Sequence, residues 1–535
     1  MKTLVKLICL VLALSLLCGC APQQANMEEI LSGISSLGTS PDDNYRTWYE
    51  IFVYSFCDSD GDGIGDLNGV RSKLDYLQEL GITGIWLMPI HPSTTYHKYN
   101  VTDYYAIDPD YGTLADFEAL LSECESRGIK VIMDLVLNHT GDTNPWFLQM
   151  TAYLQTLPEG KAPSAQECKY LDYYHLTTEA TVGYNKVPGT PYYYECKFSS
   201  DMPDLNLDSQ AVRGEIEDIM EFWLNKGVAG FRLDAAKEFW SGNTAKNVEV
   251  LNWIQTTATS LKPDCYLVAE VWDTFGQVTE YYQSGITSIF NFPFGDSTGK
   301  IVDVLRGAGN PAMVSTYATA LETADSAYRG SNPNYIDAPF LSNHDVGRIA
   351  GFVAQNEQKT KLAGAMNLFM SGSAFIYYGE EIGMVGSGND PSKRAPMYWN
   401  AERNDGTTKL PPECKLPENY PFGSLEEQKS NADSIYNYYR QAVAIRKALP
   451  VISHGVTTAE TALNKGCISA QKKIWNGSSC IILMNIDNEA AKVDLSAYAD
   501  WKLAASLSAD GSAITLKNGT LDLSAYGVAV LIPNS

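Results

Sequence analysis

Val131-Ile132-Met133-Asp134-Leu135-Val136-Leu137-Asn138-His139 decides the reading of this chain: it is an apolar run of buried-strand character that stops on a polar pair. Three further segments repeat the pattern, Gly230-Phe231-Arg232-Leu233-Asp234, Leu267-Val268-Ala269-Glu270 and Phe340-Leu341-Ser342-Asn343-His344-Asp345. Strands buried on both faces read as continuous apolar runs, and in a parallel α/β barrel the reactive groups gather at the carboxyl ends of the strands. Asp234, Glu270 and Asp345 therefore mark a candidate active site.

Outward from these segments, β-like runs alternate with amphipathic helical stretches from Trp48 to about Leu449. The expected strands are Tyr49–Ser55, Gly84–Met88, Lys130–Leu137, Ala229–Asp234, Tyr266–Glu270, Ser288–Asn291, Phe340–Asn343 and Ala374–Tyr378. Eight such runs predict an α/β fold, a (β/α)8 TIM barrel over residues 45–140 and 207–449. Gly141 to Asn206 is rich in Tyr, Pro and polar residues and lacks helical periodicity, so 141–206 reads as an inserted domain after the third strand. A second irregular stretch, Gly386 to Asn431, contains Arg394-Ala395-Pro396-Met397-Tyr398-Trp399. Beyond Pro450, short alternating strands separated by turns predict a C-terminal antiparallel β-sandwich over 450–535.

A chain of 535 residues exceeds one compact core. Its 63 acidic and 39 basic residues give a formal charge of −24, which opposes nucleic acid or an anionic membrane surface as partner and suits a neutral substrate. Lys2, Lys6 and the apolar Leu7 to Leu17 read as a signal peptide over 1–19, too short to remain as a membrane span. Leu17-Cys18-Gly19-Cys20 resembles a bacterial lipobox in which Cys20 is acylated, with 20–44 as a tether. The expectation is an extracytoplasmic protein touching the bacterial cell membrane only through its lipid anchor. Cys168 with Cys196, or Cys467 with Cys480, could bridge in that compartment.

Asp58-Ser59-Asp60-Gly61-Asp62-Gly63-Ile64-Gly65-Asp66 sets acidic side chains at positions one, three, five and nine with glycine at six. That spacing wraps oxygens around a hard cation, Ca2+, with Ile64 expected to offer its carbonyl at position seven. An EF-hand would continue to a glutamate at position twelve, where this chain has Gly69.

Taken together, these motifs resemble the α-amylase superfamily of retaining glycoside hydrolases, from about Trp48 to the C-terminus, in a form intermediate between its oligo-1,6-glucosidase and neopullulanase types. Retention requires one carboxylate to attack the anomeric carbon and a protonated one to release the leaving oxygen, the two about 5–5.5 Å apart. The resemblance implies Asp234 as nucleophile, Glu270 as general acid/base and Asp345 as the residue binding sugar hydroxyls. It implies Arg232 as the partner that keeps Asp234 ionised, His139 and His344 as hydrogen-bond donors to the sugar, and Tyr99 as an aromatic platform beneath it. The acidic residue usual after this tyrosine is Asn100 here. The first βα loop of such relatives binds Ca2+, and Asn138 matches a second calcium ligand found in many of them. Ala235 after the nucleophile resembles enzymes acting on α-1,4 bonds, and Lys237 a residue binding sugar beyond the cut, although Glu238 replaces a common histidine. Arg394 and Trp399 resemble a loop of oligosaccharide-active relatives. The implied activity is hydrolysis of α-1,4 bonds in starch or maltooligosaccharides. A 4-α-glucanotransferase, an α-1,6-active glucosidase and a non-catalytic glucan-binding lipoprotein are the alternatives.

Overall fold

Seven short strands form one parallel sheet in the order β10, β1, β2, β3, β7, β8, β9. They are β1 Thr47–Ile51, β2 Gly84–Leu87, β3 Lys130–Leu135, β7 Gly230–Leu233, β8 Tyr266–Ala269, β9 Ser288–Ile289 and β10 Ala374–Tyr377. Alternate side chains point to opposite faces of a strand. Trp48, Trp86, Ile132, Tyr266, Val268, Phe290 and Phe375 fill the barrel interior. Their neighbours Tyr49, Ile85, Met133, Phe231 and Leu267 pack outward in the larger core shared with the helices. Continuing the inward set by two residues leads from Trp48 to Glu50, from Ile132 to Asp134, and from Val268 to Glu270. The lining thus turns from aromatic to charged at the carboxyl end. Gly230 is required where β7 meets β8, because a Cβ there would lie 1.8 Å from the Tyr266 carbonyl oxygen.

The seventh stave differs from the expected strand Phe340–Asn343. Barrel hydrogen bonds fall earlier, on Ile336 to Pro339: Ile336 N–H donates to Thr287 O at 2.9 Å, and Asn291 N–H to Ala338 O at 3.0 Å. On the other side Ser373 and Phe375 donate to Asp337 O and Pro339 O at 2.7 and 2.8 Å, which closes the (β/α)8 barrel. Pro339 has no N–H to return, so no regular strand forms there. Phe340 packs inside the barrel and the chain leaves it with His344 and Asp345 at the rim.

The helices between strands follow their sequence signals. Leu114–Ser126 starts at a reciprocal Thr113/Asp116 capping box and buries Phe117, Leu120, Leu121 and Cys124, one face of a 3.6-residue period. Gln210–Asn225 is capped by Ser209 and buries Ile216, Ile219, Met220 and Trp223.

Within 141–206, helix Pro145–Thr156 corrects the expectation of a stretch without helical periodicity: Phe147, Met150 and Leu154 form a buried stripe at helical spacing, begun by Asn144 and Pro145. A small sheet follows, β4 Leu176–Thr177, β5 Tyr184–Lys186 and β6 Tyr193–Glu195, with β6 central. The segment is stitched back to the end of β3 by Thr140 N–H to Pro203 O at 3.1 Å and Leu205 N–H to Asn138 O at 2.8 Å.

The C-terminal part forms two antiparallel sheets. One holds β11 Val456–Ala459, β12 Ile468–Trp475, β13 Ser478–Asn485, β18 Val528–Pro533 and β15 Trp501–Leu507; the other holds β14 Ala491–Asp494, β17 Thr520–Leu523 and β16 Thr515–Lys517. Ile481, Leu483, Leu521, Leu523 and Leu531 pack between them. Neither expected cysteine pair is bonded. Cys480 faces Lys473, whereas Cys467 accepts from Ile486 N–H, six residues along the ladder and roughly 20 Å away at ~3.3 Å per residue.

The computed structural model describes Leu31, Ile34, residues 41–415 and residues 420–534. The expected signal segment and Cys20 lie outside the described residues. Among these, no helix is long and apolar enough to cross a membrane.

Candidate active site

Arg232 organises the carboxylates. Its guanidinium is fully buried on β7, over the Trp86 ring at 5.2 Å. Nη1 lies 2.6 Å from Asp234 Oδ1 and 2.8 and 3.0 Å from the two oxygens of Asp134, while Nη2 lies 2.9 Å from Glu270 Oε2. One planar cation therefore bridges the ends of three neighbouring strands, as a guanidinium fork can and an ammonium cannot. Ala235, next to Asp234, adopts a left-handed conformation (φ 45°), and its N–H donates to Glu270 Oε2 at 3.0 Å. With the Ala235 N–H donated to Oε2 and the Arg232 charge beside that same oxygen, Oε1 is left to carry a proton.

Burial raises Glu270; Arg232 opposes this and the nearby Asp234 charge reinforces it, leaving a net upward shift. Asp134 is pushed up to about 7, by burial first and Asp234 second, against the pull of Arg232. A carboxyl whose proton is favoured by burial, set beside one paired with a cation, is the arrangement that acid/base chemistry uses.

A second cluster completes the rim. Arg394 Nη2 pairs with Asp345 Oδ1 at 2.8 Å and His344 Nε2 lies 2.9 Å from Asp345 Oδ2. Burial would raise Asp345, but His344 and Arg394 hold it well below the usual carboxylate range. Tyr99 links the two clusters: its hydroxyl donates to Asp134 Oδ2 at 3.1 Å and lies 2.7 Å from His344 Nε2. The preceding Lys98 is left-handed (φ 64°) and anchored by its ammonium to Asp108 and Asp110, both at 2.9 Å, which fixes the turn presenting Tyr99.

These groups face a cleft of about 560 Å³ lined by His97, Tyr99, His139, Asp234, Glu270, Asp345 and Arg394, walled by Phe198 and Met202 from the insertion and by Trp272 beyond β8. His139 is kept neutral by burial, with its Nε2 free of protein partners. His97 is pushed down to about 4 by burial and by Arg394. Lys237 spans to Trp272 O at 2.9 Å and Asp273 at 3.0 Å, and Glu238 pairs with Lys197 of the insertion at 3.3 Å. Asn100, in place of an acid, donates to Asp201 at 2.9 Å. Trp399 sits outside this group, buried with its indole N–H on Phe56 O at 2.7 Å.

Sequence reasoning missed Glu50, Asp134, His97, Phe198 and Trp272. The first two were legible as charged residues at inward positions of otherwise apolar strands. Phe198 and Trp272 lie in loops, where no periodicity marks a cleft wall.

In the acidic loop, carboxylate oxygens of Asp58, Asp60 and Asp66 lie within 4.8 Å of one another. Hard oxygen donors so placed fit a calcium ion. Asp62, also of the expected set, is not in that group; its carboxylate accepts Ile64 N–H at 2.6 Å. Position twelve holds glycine because a Cβ at Gly69 would meet Cys57 O at 1.9 Å. Asn138 donates its amide to Asp204 Oδ1 at 3.1 Å, which identifies its partner in the insertion.

A closed parallel barrel whose carboxyl rim carries converging carboxylates in an aromatic-walled cleft defines a glycoside hydrolase of the barrel class. Residues 50–455 match the family model of the α-amylase catalytic domain. "Alpha-amylase 3" of Dictyoglomus thermophilum is 41% identical over 415 residues, covering 76% of this chain and 78% of that protein. Among solved structures, Eubacterium rectale Amy13B superposes with a TM-score of 0.91 at 43% identity, covering 96% of this chain and all of that one. The α-amylase from H. orenii gives a TM-score of 0.79 at 34% identity, covering 92% of this chain and 100% of its own. The chain belongs to the α-amylase family of glycoside hydrolases.

Proposed function

We propose that the enzyme hydrolyses α-1,4-glucosidic bonds in starch or maltooligosaccharides with retention, by double displacement. The observation that carries this reading is the single buried guanidinium of Arg232 holding Asp234 and Glu270 at 2.6 and 2.9 Å, while burial favours a proton on Glu270. Two carboxylates tied to one fork are close neighbours, as attack and protonation across one bond require. Asp234 attacks the anomeric carbon as Glu270 Oε1 protonates the departing oxygen; Glu270 then deprotonates water, which releases Asp234. Asp345, ionised and gripped on both oxygens, binds sugar hydroxyls and favours the oxocarbenium-like transition state. His139, whose Nε2 has no protein partner, donates to the sugar. His344, expected to do the same, is fully buried with its ring nitrogens on Glu50, Asp345 and Tyr99 and instead steadies Asp345. Tyr99 packs beneath the sugar, and Arg394 and Lys237 border the adjoining positions.

Asp234→Asn is expected to abolish reducing-sugar release from soluble starch with an unchanged circular dichroism spectrum. Near-normal turnover would sink the assignment. Product analysis with maltoheptaose separates the alternatives: shorter products mean hydrolysis, longer ones transfer, and turnover of isomaltose means α-1,6 activity. Ala235 after the nucleophile favours the α-1,4 reading.

The same reading takes Ca2+ at Asp58, Asp60 and Asp66, with Asp62 and the Ile64 carbonyl as the further expected ligands, where it would fix the first βα loop. It also takes lipid anchoring through Cys20 outside the cytoplasm, which radiolabelled fatty-acid incorporation, lost in Cys20→Ala, tests. Limited proteolysis at the edges of 141–206 and near residue 450 tests the domain division.

A further inference from the structure

We infer that Glu50, at the inward end of β1, is a positioning residue that acts through His344 on Asp345, an inference that rests on the proposed role of that pair. Glu50 is buried and touches no part of the cleft; its Oε1 lies 2.6 Å from His344 Nδ1. The opposite ring nitrogen, Nε2, lies 2.9 Å from Asp345 Oδ2 and 2.7 Å from the Tyr99 hydroxyl. A neutral imidazole has one N–H and one lone pair. Loss of the Nδ1 proton would turn a lone pair on Glu50, and loss of the Nε2 proton would turn one on Asp345, with the Tyr99 hydroxyl hydrogen already given to Asp134. Carboxylates on both sides therefore require both protons, and the ring is held as imidazolium.

The other charged and titratable groups around the ring do not reverse this. Arg232 from β7 is matched by Asp134, Asp234 and Glu270, and Tyr99 from the loop after β2 is uncharged. Trp86 from β2 meets the ring edge-on at 5.7 Å, and Arg394 binds the His344 carbonyl through Nε while its Nη2 holds Asp345. Burial would depress His344, yet Asp345 and Glu50 push it up to about 9. The consequence lies in Asp345. With Oδ2 on a fixed cation and Oδ1 on Arg394, that carboxylate neither rotates nor takes up a proton. In Glu50→Gln the amide either offers its own N–H to Nδ1, turning that nitrogen into an acceptor, or accepts without charge; both outcomes favour the neutral ring.

The test uses histidine-labelled protein followed by NMR across pH. The chain has six histidines, and His344→Asn assigns the relevant signal. His344 is expected to remain imidazolium at pH 7 and titrate near pH 9 in the native enzyme. In Glu50→Gln it should titrate lower by about one unit or more, and Glu50→Asp, which keeps the charge, should restore most of the shift. kcat on soluble starch should be near native at pH 5.5 and fall about tenfold relative to native at pH 8, with KM little changed. A neutral His344 at pH 7 in the native enzyme would overturn the inference. So would an unchanged titration in Glu50→Gln, or one factor of kcat loss at every pH accompanied by a lower melting temperature. If Glu50→Gln does not fold, the native titration and Glu50→Asp decide. Failure of the native enzyme to release sugar would refute the proposed function while the NMR result still reads the Glu50–His344 pair.

Discussion

Replacing Arg232 by lysine separates the effect of the guanidinium fork from that of its charge. The fork meets Asp234 at 2.6 Å, Asp134 at 2.8 and 3.0 Å and Glu270 at 2.9 Å, and both terminal nitrogens are used. A lysine ammonium is one point on a flexible stem and can keep close contact with one of the three carboxylates, Asp134 or Asp234, while losing Glu270. A hydrogen bond to a charged group contributes about 1.5–3 kcal/mol and the Glu270 contact is a close buried ion pair of similar weight, so losing one of each amounts to roughly 3–6 kcal/mol. Proton uptake by Asp134, already pushed up to about 7, offsets part of it. A remaining loss of about 3–4 kcal/mol at the transition state corresponds to a fall of roughly 100- to 1,000-fold in kcat/KM. The direction on pH follows too: Glu270, with less cationic charge beside it, holds its proton to higher pH, so the alkaline limb of the profile moves up. Reducing-sugar release from soluble starch between pH 5 and 9 reads both quantities, and a thermal melt monitors the fold. If Arg232→Lys retained activity within about threefold of native with an unmoved alkaline limb, the fork would not be what couples the pair.

Asp337, Glu380 and His344 should each draw stability down as pH rises from 5 to 9, while Lys473, pushed down to about 7 by burial, works the other way above pH 7. Burial pushes Asp337 to about 7 and Glu380 to about 8, so their contribution is complete below the unfolded carboxyl value near 4 and disappears through 7–8. His344, raised to about 9, contributes fully below 6.5 and loses that contribution through 9, in the same direction. A melting temperature that fell as steeply from pH 5 to 7 in Asp337→Asn as in the native enzyme would contradict this. Ala235→Val places a β-branched residue at φ 45° and should shift the N–H that binds Glu270, lowering kcat at least tenfold; a variant at native kcat would show that this bond is dispensable. Chelation should lower the melting temperature of the native enzyme and have little effect on Asp60→Asn, whose side chain is exposed. Equal shifts in both proteins would remove the acidic loop as the binding site.

The barrel was legible because burial on both strand faces leaves uninterrupted apolar runs, and the rim acids because those runs end on them. Period-two splitting of the same runs would have exposed Glu50 and Asp134 as inward charges. The seventh stave was displaced in the reading because Pro339 breaks the ladder while Phe340 and Leu341 still look like strand. The calcium spacing brought Asp58, Asp60 and Asp66 together as read, while the local turn that Asp62 closes on Ile64 is not encoded in spacing. The helix at Pro145–Thr156 was obscured by the Tyr- and Pro-rich composition around it, although Asn144-Pro145 is a start signal and Phe147, Met150 and Leu154 repeat at helical intervals.

The Pro339 stave makes the barrel asymmetric in how it is held shut. Between β9 and β10 the segment mostly lends carbonyls, taking N–H groups from Asn291, Ser373 and Phe375, with Ile336 giving one bond to Thr287. Two such bonds hold each side of the segment, against a ladder of four residue pairs between β1 and β2, so partial opening of the native state should begin along this seam. Amide hydrogens of Ser373 and Phe375 are then expected to exchange with solvent sooner than those of Trp86 and Phe231. Because Asp345 leaves the barrel a few residues beyond the seam, cleft occupancy and seam protection should rise together, making exchange at Phe375 a reporter of binding.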